Sequence, residues 1–107
     1  MKRIHLHDFG EDFNTKNLLR QALRDTAQAG GADFEEQVKR GRVLQILMKL
    51  EKETAYFDLE DADFDMSVKI LKGYRWALAD PRIVEAIQKF VTSVAPPVIA
   101  VVEGGKK

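Results

Sequence analysis

Apolar and polar positions follow two rhythms along this chain. From Lys2 to His7 the rhythm is two: Ile4 and Leu6 fall on one side, and Arg3, His5 and His7 on the other, which predicts a short strand over residues 2–7. Elsewhere the rhythm is helical. The longest helical run is residues 33–52, where Phe34, Val38, Val43, Ile46, Leu47 and Leu50 fall mostly three or four apart and predict one wide buried stripe. Asp33 is placed to cap this helix, with Glu36 at the capping-box position. Charge crowds its first half, while Val43 to Leu50 is nearly all apolar. Such a helix is expected to need neighbours on more than one side and to form the centre of the core.

Three further helices are expected. Residues 15–29 carry Leu18, Leu19, Ala22, Leu23 and Ala27 on one face, with Asn14 or Thr15 as the cap and Gly30-Gly31 as the left-handed stop. Residues 58–72 open on Asp58 as the cap, with Asp61 three positions on. They carry a stripe of Leu59, Ala62, Met66 and Ile70, place Lys69 and Lys72 where the helix dipole favours cations, and stop at Gly73. Residues 81–94 begin at Asp80-Pro81, a cap followed by proline at the first helical position, and end before Pro96-Pro97.

The connections read as follows. Residues 8–13 form a loop whose Phe9 and Phe13 should pack back onto the core. Tyr56-Phe57 lies in an extended or turn segment. Gly41 interrupts the second helix at about 1 kcal/mol relative to alanine; the expected reason is close approach of a neighbouring backbone, with a hinge as the alternative. Residues 98–102 are apolar and β-branched and predict a second strand, which either pairs with Ile4–Leu6 or adds to a partner's sheet edge. The expected fold class is mainly α (α+β): a single domain of four helices with one or two short terminal β-strands.

Composition narrows function by exclusion. Lys and Arg number 17 and Asp and Glu 17, so no global field draws the chain to nucleic acid or to an anionic membrane. With no cysteine, disulfides, thiolate metal sites and cysteine catalysis are excluded. The first residues carry His, Asp and Glu where a signal peptide needs an apolar run, and no apolar stretch reaches the length of a membrane span. A cytoplasmic protein without cofactor is expected.

Candidate chemistry is sparse. His5 and His7 share a strand face beside Asp8, but no third nitrogen or sulfur ligand accompanies them. From Asp61, carboxylates stand at positions one, three and five of a calcium loop, yet Met66 occupies the glycine position and Lys72 the closing glutamate position. Helix capping accounts for these acids better. No phosphate-binding glycine loop or nucleophile elbow is present, so no enzyme is expected. Lys39, Arg40 and Arg42 form a basic cluster that could meet phosphate or an acidic partner, although a solvated helix face is the ordinary reading. Tyr74, Arg75 and Trp76 carry the sharper signal: three side-chain types enriched among binding hot spots, together just past a helix stop. With Val98, Ile99 and Val101 on the apolar tail, they are the candidate interface.

The run Val38-Lys-Arg-Gly-Arg-Val-Leu44, the acidic step Asp58-Leu-Glu-Asp-Ala-Asp63, Lys69 and the closing apolar helix resemble small proteins encoded by tailed bacteriophages and prophages. The resemblance covers residues 38–94. It implies a virus-encoded, non-enzymatic protein that works through protein contacts or self-association in the host cytoplasm or the virion. A phage assembly or virion component is the leading expectation, an inhibitor or regulator of a host protein the runner-up, and a small nucleic-acid binder the third.

Overall fold

A computed structural model describes residues 1–97. Within them the chain runs β1 (Lys2–His5), α1 (Thr15–Arg24), a 3-10 turn (Ala27–Ala29), α2 (Phe34–Lys49), β2 (Tyr56–Leu59), α3 (Asp61–Gly73) and α4 (Pro81–Val91). The fold is mainly α with a small antiparallel sheet, the class that the hydrophobic rhythm indicates. No helix among the described residues is long and apolar enough to cross a membrane.

The first strand forms as expected, but its partner is internal. β1 pairs antiparallel with β2 in the register Lys2↔Leu59, Arg3↔Asp58, Ile4↔Phe57 and His5↔Tyr56. This register buries Ile4, Phe57 and Leu59 together and sets Arg3 directly across from Asp58. The guanidinium donates to both carboxylate oxygens, at 2.9 and 3.2 Å, and lies 3.9 Å from the centre of the Tyr56 ring. Asp58 therefore belongs to a strand and does not cap α3. The cap position falls to Glu60, whose side chain makes no capping hydrogen bond. Asp61 and Asp63 occupy the first turn, where the helix dipole favours acids. The strand expected over 98–102 lies outside the described residues; the other edge of β1 meets Val94, whose carbonyl accepts from Arg3 N at 2.8 Å.

The centre of the helical layer is α1, not α2. α1 packs on α2, α3 and α4, whereas α2 has α1 as its main helical neighbour. Leu19, Ala22 and Leu23 of α1 meet Val43 and Leu47 of α2, Phe64 and Leu71 of α3 and Phe90 of α4 in one core. The Phe64 and Phe90 rings stack 5.4 Å apart. A second cluster of Leu18, Ile83 and Ala86 is closed by Phe9 and Phe13, as expected of those phenylalanines. Each fully buried leucine contributes about 1.5–3 kcal/mol relative to exposure.

α1 is shorter than its apolar rhythm, and a residue of another helix sits on its end. It is capped by Asn14, which accepts from Asn17 N at 2.8 Å, and it ends at Arg24. Arg40 of α2 reaches across and donates Nη1 to the carbonyls of Ala22 and Leu23 at 3.3 and 3.0 Å. A cation on the last carbonyls is the favoured arrangement at a helix C-terminus. Gly30 and Gly31, at φ +80° and +101°, close the 3-10 turn that follows and do not stop α1 itself. α4 starts as predicted: Asp80 caps it by accepting from Arg82 N at 2.8 Å, and Pro81 occupies its first position. It ends at Val91, short of the expected 94, leaving Ser93 outside the helix.

Candidate functional site

The basic cluster is three residues with three different roles. Arg40 is 5% exposed, spent on the α1 carbonyls and on Glu36, which accepts from Nε at 2.8 Å. Glu36 is thereby drawn into an ion pair one turn along, and the capping box is completed only on the Asp33 side, which accepts from Glu36 N at 2.9 Å. Arg42 pairs with the buried Asp63 at the start of α3, its Nη2 2.6 Å from Oδ1 and its Nε 2.9 Å from Oδ2. These bonds hold the Arg42 pKa above its ordinary value. Lys39 faces solvent, and Arg42 is itself half-exposed while holding Asp63. The expected solvated basic face is therefore corrected: two of its three charges tie helices together.

The connection from Tyr74 to Asp80 is held at both ends. Tyr74 donates its hydroxyl to Asp25 Oδ2 at 2.9 Å and accepts from Gln21 Nε2 at 3.3 Å. Burial raises its pKa above the usual phenol value, and the bond with Asp25 adds to that. The Gln28 amide brackets the Arg75 backbone, accepting from its N–H at 2.9 Å and donating to its carbonyl at 2.8 Å. Trp76 sits edge-on to Tyr74 with ring centres 4.5 Å apart, and its half-buried indole joins the two core clusters. At the far end, Arg82 donates to both Asp80 carboxylate oxygens at 3.0 and 2.8 Å, which pulls the Asp80 pKa down to about 2.

The bracket leaves the Arg75 side chain exposed while fixing its backbone. Tyr74 and Trp76 beside it are half-buried and pack against the core. Among the described residues, Trp76 Nε1 and Ser67 Oγ are buried side-chain atoms with no hydrogen-bond partner. Val98, Ile99 and Val101 lie outside the described residues.

Packing brings two separate sequence signals to one place. Tyr74 and Arg75 line a groove of about 500 Å³ that also takes Lys39 and Arg40 from α2. Asp25, Asp33, Glu35 and Glu36 line it as well, so its charge is mixed and suits neither a polyanion nor a polycation. Trp76 borders an open, mainly apolar shelf of about 610 Å³, lined also by Leu78, Ala79, Ile83 and Val84. Leu78 is 54% and Val84 57% exposed.

Sequence reasoning missed two surfaces. Leu78 was legible as a large apolar residue in a short connection. The second is the outer face of α2: Phe34, Val38 and Met48, 82%, 47% and 75% exposed, lie opposite the buried Val43 and Leu47. The single stripe expected on this helix is in fact two, and only one of them is covered.

His5 is exposed and meets Tyr56 edge-on with ring centres 6.0 Å apart, whereas His7 lies beside Phe9. Among the described residues no group of three or more His, Asp or Glu side chains is placed to share a metal ion. Three features are left exposed among the described residues: an arginine on a fixed backbone, an apolar shelf bordered by Trp76, and an apolar face of α2. Comparison with known proteins found no family model, curated protein or solved structure that matches the chain.

Proposed function

We propose that this chain is a non-enzymatic protein–protein interaction module, a phage assembly or virion component that docks on a larger particle. The observation that carries the reading is the exposed Arg75 on a backbone held by Gln28, in a connection that also leaves Leu78 open. Among the described residues the side chain of Arg75 makes no hydrogen bond or ion pair, its backbone is clamped by Gln28, and Leu78, three residues on, is exposed. An arginine on a backbone that is already ordered binds with little further ordering cost. The virus-encoded origin rests on the sequence resemblance over residues 38–94.

The test compares affinity capture from bacterial lysate by the wild type, Arg75→Ala, Leu78→Ser and an Arg20→Ala control on the exposed face of α1. A protein retained by the wild type and the control but lost with both of the other variants supports the reading, and its identity separates particle component from host target. Equal capture by all four would sink it.

A further inference from the structure

The outer face of α2 has a periodicity of its own. Phe34, Val38, Gly41, Gln45 and Met48 recur at intervals of four, three, four and three, all exposed. That is the heptad spacing of a helix–helix seam, about 21 Å long at 1.5 Å per residue. It runs opposite the buried Val43 and Leu47, so folding of the described residues leaves it uncovered. Phe34 at 82% and Met48 at 75% exposure are the most exposed large apolar side chains among those residues.

Two further observations identify what fits this seam. At Gly41, the midpoint of the stripe, a Cβ would meet no atom within 4 Å. The helix carries the penalty of an interior glycine, and no neighbouring element of the fold uses the space. The close approach expected from the sequence is therefore not made within the described residues. On one flank of the seam Glu35, Arg42 and Lys49 follow at seven-residue intervals, the first acidic, the last basic and both exposed. An antiparallel second α2 sets Glu35 of each copy towards Lys49 of the other and opposes the helix dipoles; a parallel one sets this flank against the other, where Gln37 and Leu44 stand, and leaves Glu35 and Lys49 without opposite charges.

We infer that the outer face of α2 pairs with the same face of a second copy of this chain, antiparallel about a two-fold axis at Gly41. Position 41 is midway between 34 and 48, so the axis places each Phe34 against the partner's Met48, an aromatic–thioether contact, at both ends of the seam. Gly41 meets its own counterpart at the crossing and lets the two backbones approach. Gln45 is the polar member that specifies register at some cost in affinity. A seam of four turns is small for a permanent interface, so the dimer is reversible. The inference shares with the proposed function only the premise that the chain works by contact. It uses a different surface from the Arg75 connection, so either can fail alone.

Sedimentation equilibrium of the full chain over roughly 1 µM to 1 mM tests it. The expected result is a reversible monomer–dimer equilibrium that Phe34→Glu and Met48→Glu each weaken at least about tenfold, with helical circular dichroism unchanged and Leu78→Ser without effect. Gly41→Ala gives opposite signs: it raises the melting temperature of the monomer through helix propensity yet weakens the dimer. Because the chain has no cysteine, single replacements report orientation directly. Gly41→Cys should form an inter-copy disulfide under mild oxidation. Phe34→Cys should do so only when mixed with Met48→Cys. Efficient cross-linking of Phe34→Cys with itself would overturn the antiparallel arrangement. A monomer throughout the range, or a dimer indifferent to Phe34→Glu, would overturn the inference. So would a monomeric wild type in which Phe34→Glu lowers the melting temperature, since the face would then be covered by the chain's own residues 98–102.

Discussion

α1 and α2 divide their apolar residues in opposite ways. In α1 the apolar residues Leu18, Leu19, Ala22 and Leu23 are all buried, Arg20 and Arg24 face solvent, and the helix packs on three others. α2 is longer and apolar on two opposite sides, yet its principal helical neighbour is α1. Summed hydrophobicity therefore does not locate the centre of a fold. A helix whose apolar residues lie on one broad continuous face can be surrounded by its neighbours, whereas one with two separate faces leaves the second open.

The largest effects should divide α2 by face. Leu47→Ala, and Leu19→Ala on α1, should each cost roughly 2–5 kcal/mol in urea unfolding, as cavity-forming core substitutions do. Both side chains are at most 1% exposed. Phe34→Ala and Met48→Ala, measured at low micromolar concentration, should stay within about 0.5 kcal/mol of wild type. Comparable losses at Phe34 and Leu47 would mean that α2 is covered on both sides and that the contrast with α1 is false.

A step smaller is the loss expected where the two helices are tied. Arg40→Ala removes charge-assisted hydrogen bonds to the last carbonyls of α1 and should cost about 2 kcal/mol. Its neighbour Lys39, on the solvent side, should tolerate alanine within about 0.5 kcal/mol. Equal responses would show that α1 ends at Arg24 without help from α2.

Acid sharpens the distinction between groups that hold the fold and groups that lie on it. The Asp58 carboxyl is held below its ordinary 3.8 by its hydrogen bonds with Arg3, and Asp80 is held at about 2 by Arg82. Both folded-state values lie below the unfolded ones, so their stabilisation is complete above the unfolded value, near 3.8, and is lost as pH falls through the folded value. The melting temperature should fall between about pH 4 and pH 2. Asp80→Asn keeps a capping side chain but not the charge and should flatten part of that fall. An identical acid profile for Asp80→Asn and wild type would remove Asp80 from the account.

The smallest effects separate backbone from side chain in the connection after α3. Gln28→Ala breaks two hydrogen bonds to the Arg75 backbone and should cost about 1 kcal/mol. Arg75→Ala leaves that bracket intact and should change the melting temperature hardly at all. Should Arg75→Ala prove the more damaging, its side chain belongs to the fold and is not spare for a partner.

Local signals in the sequence were sufficient wherever one element settles its own geometry. Asn14, Asp33 and Asp80 cap the helices that follow them because a short acceptor at that position meets an otherwise free backbone N–H nearby in sequence. Ile4 marks a strand and Leu18 to Leu23 a buried helix face by periodicity alone. What only the tertiary structure decided involves partners distant in sequence. Asp58 reads equally well as a helix cap or a strand residue until Arg3 is placed opposite it, 55 residues away. Arg40 reads as surface charge until the end of α1 arrives beneath it. The interface signal in Tyr74, Arg75 and Trp76 was legible as residue types, but which of the three is spare depends on Asp25 and Gln28, and those bonds have no local signature. The two faces of α2 share one periodicity along the chain. Only packing, which covers Leu47 and leaves Phe34 in solvent, tells the face that folds the protein from the face that remains open.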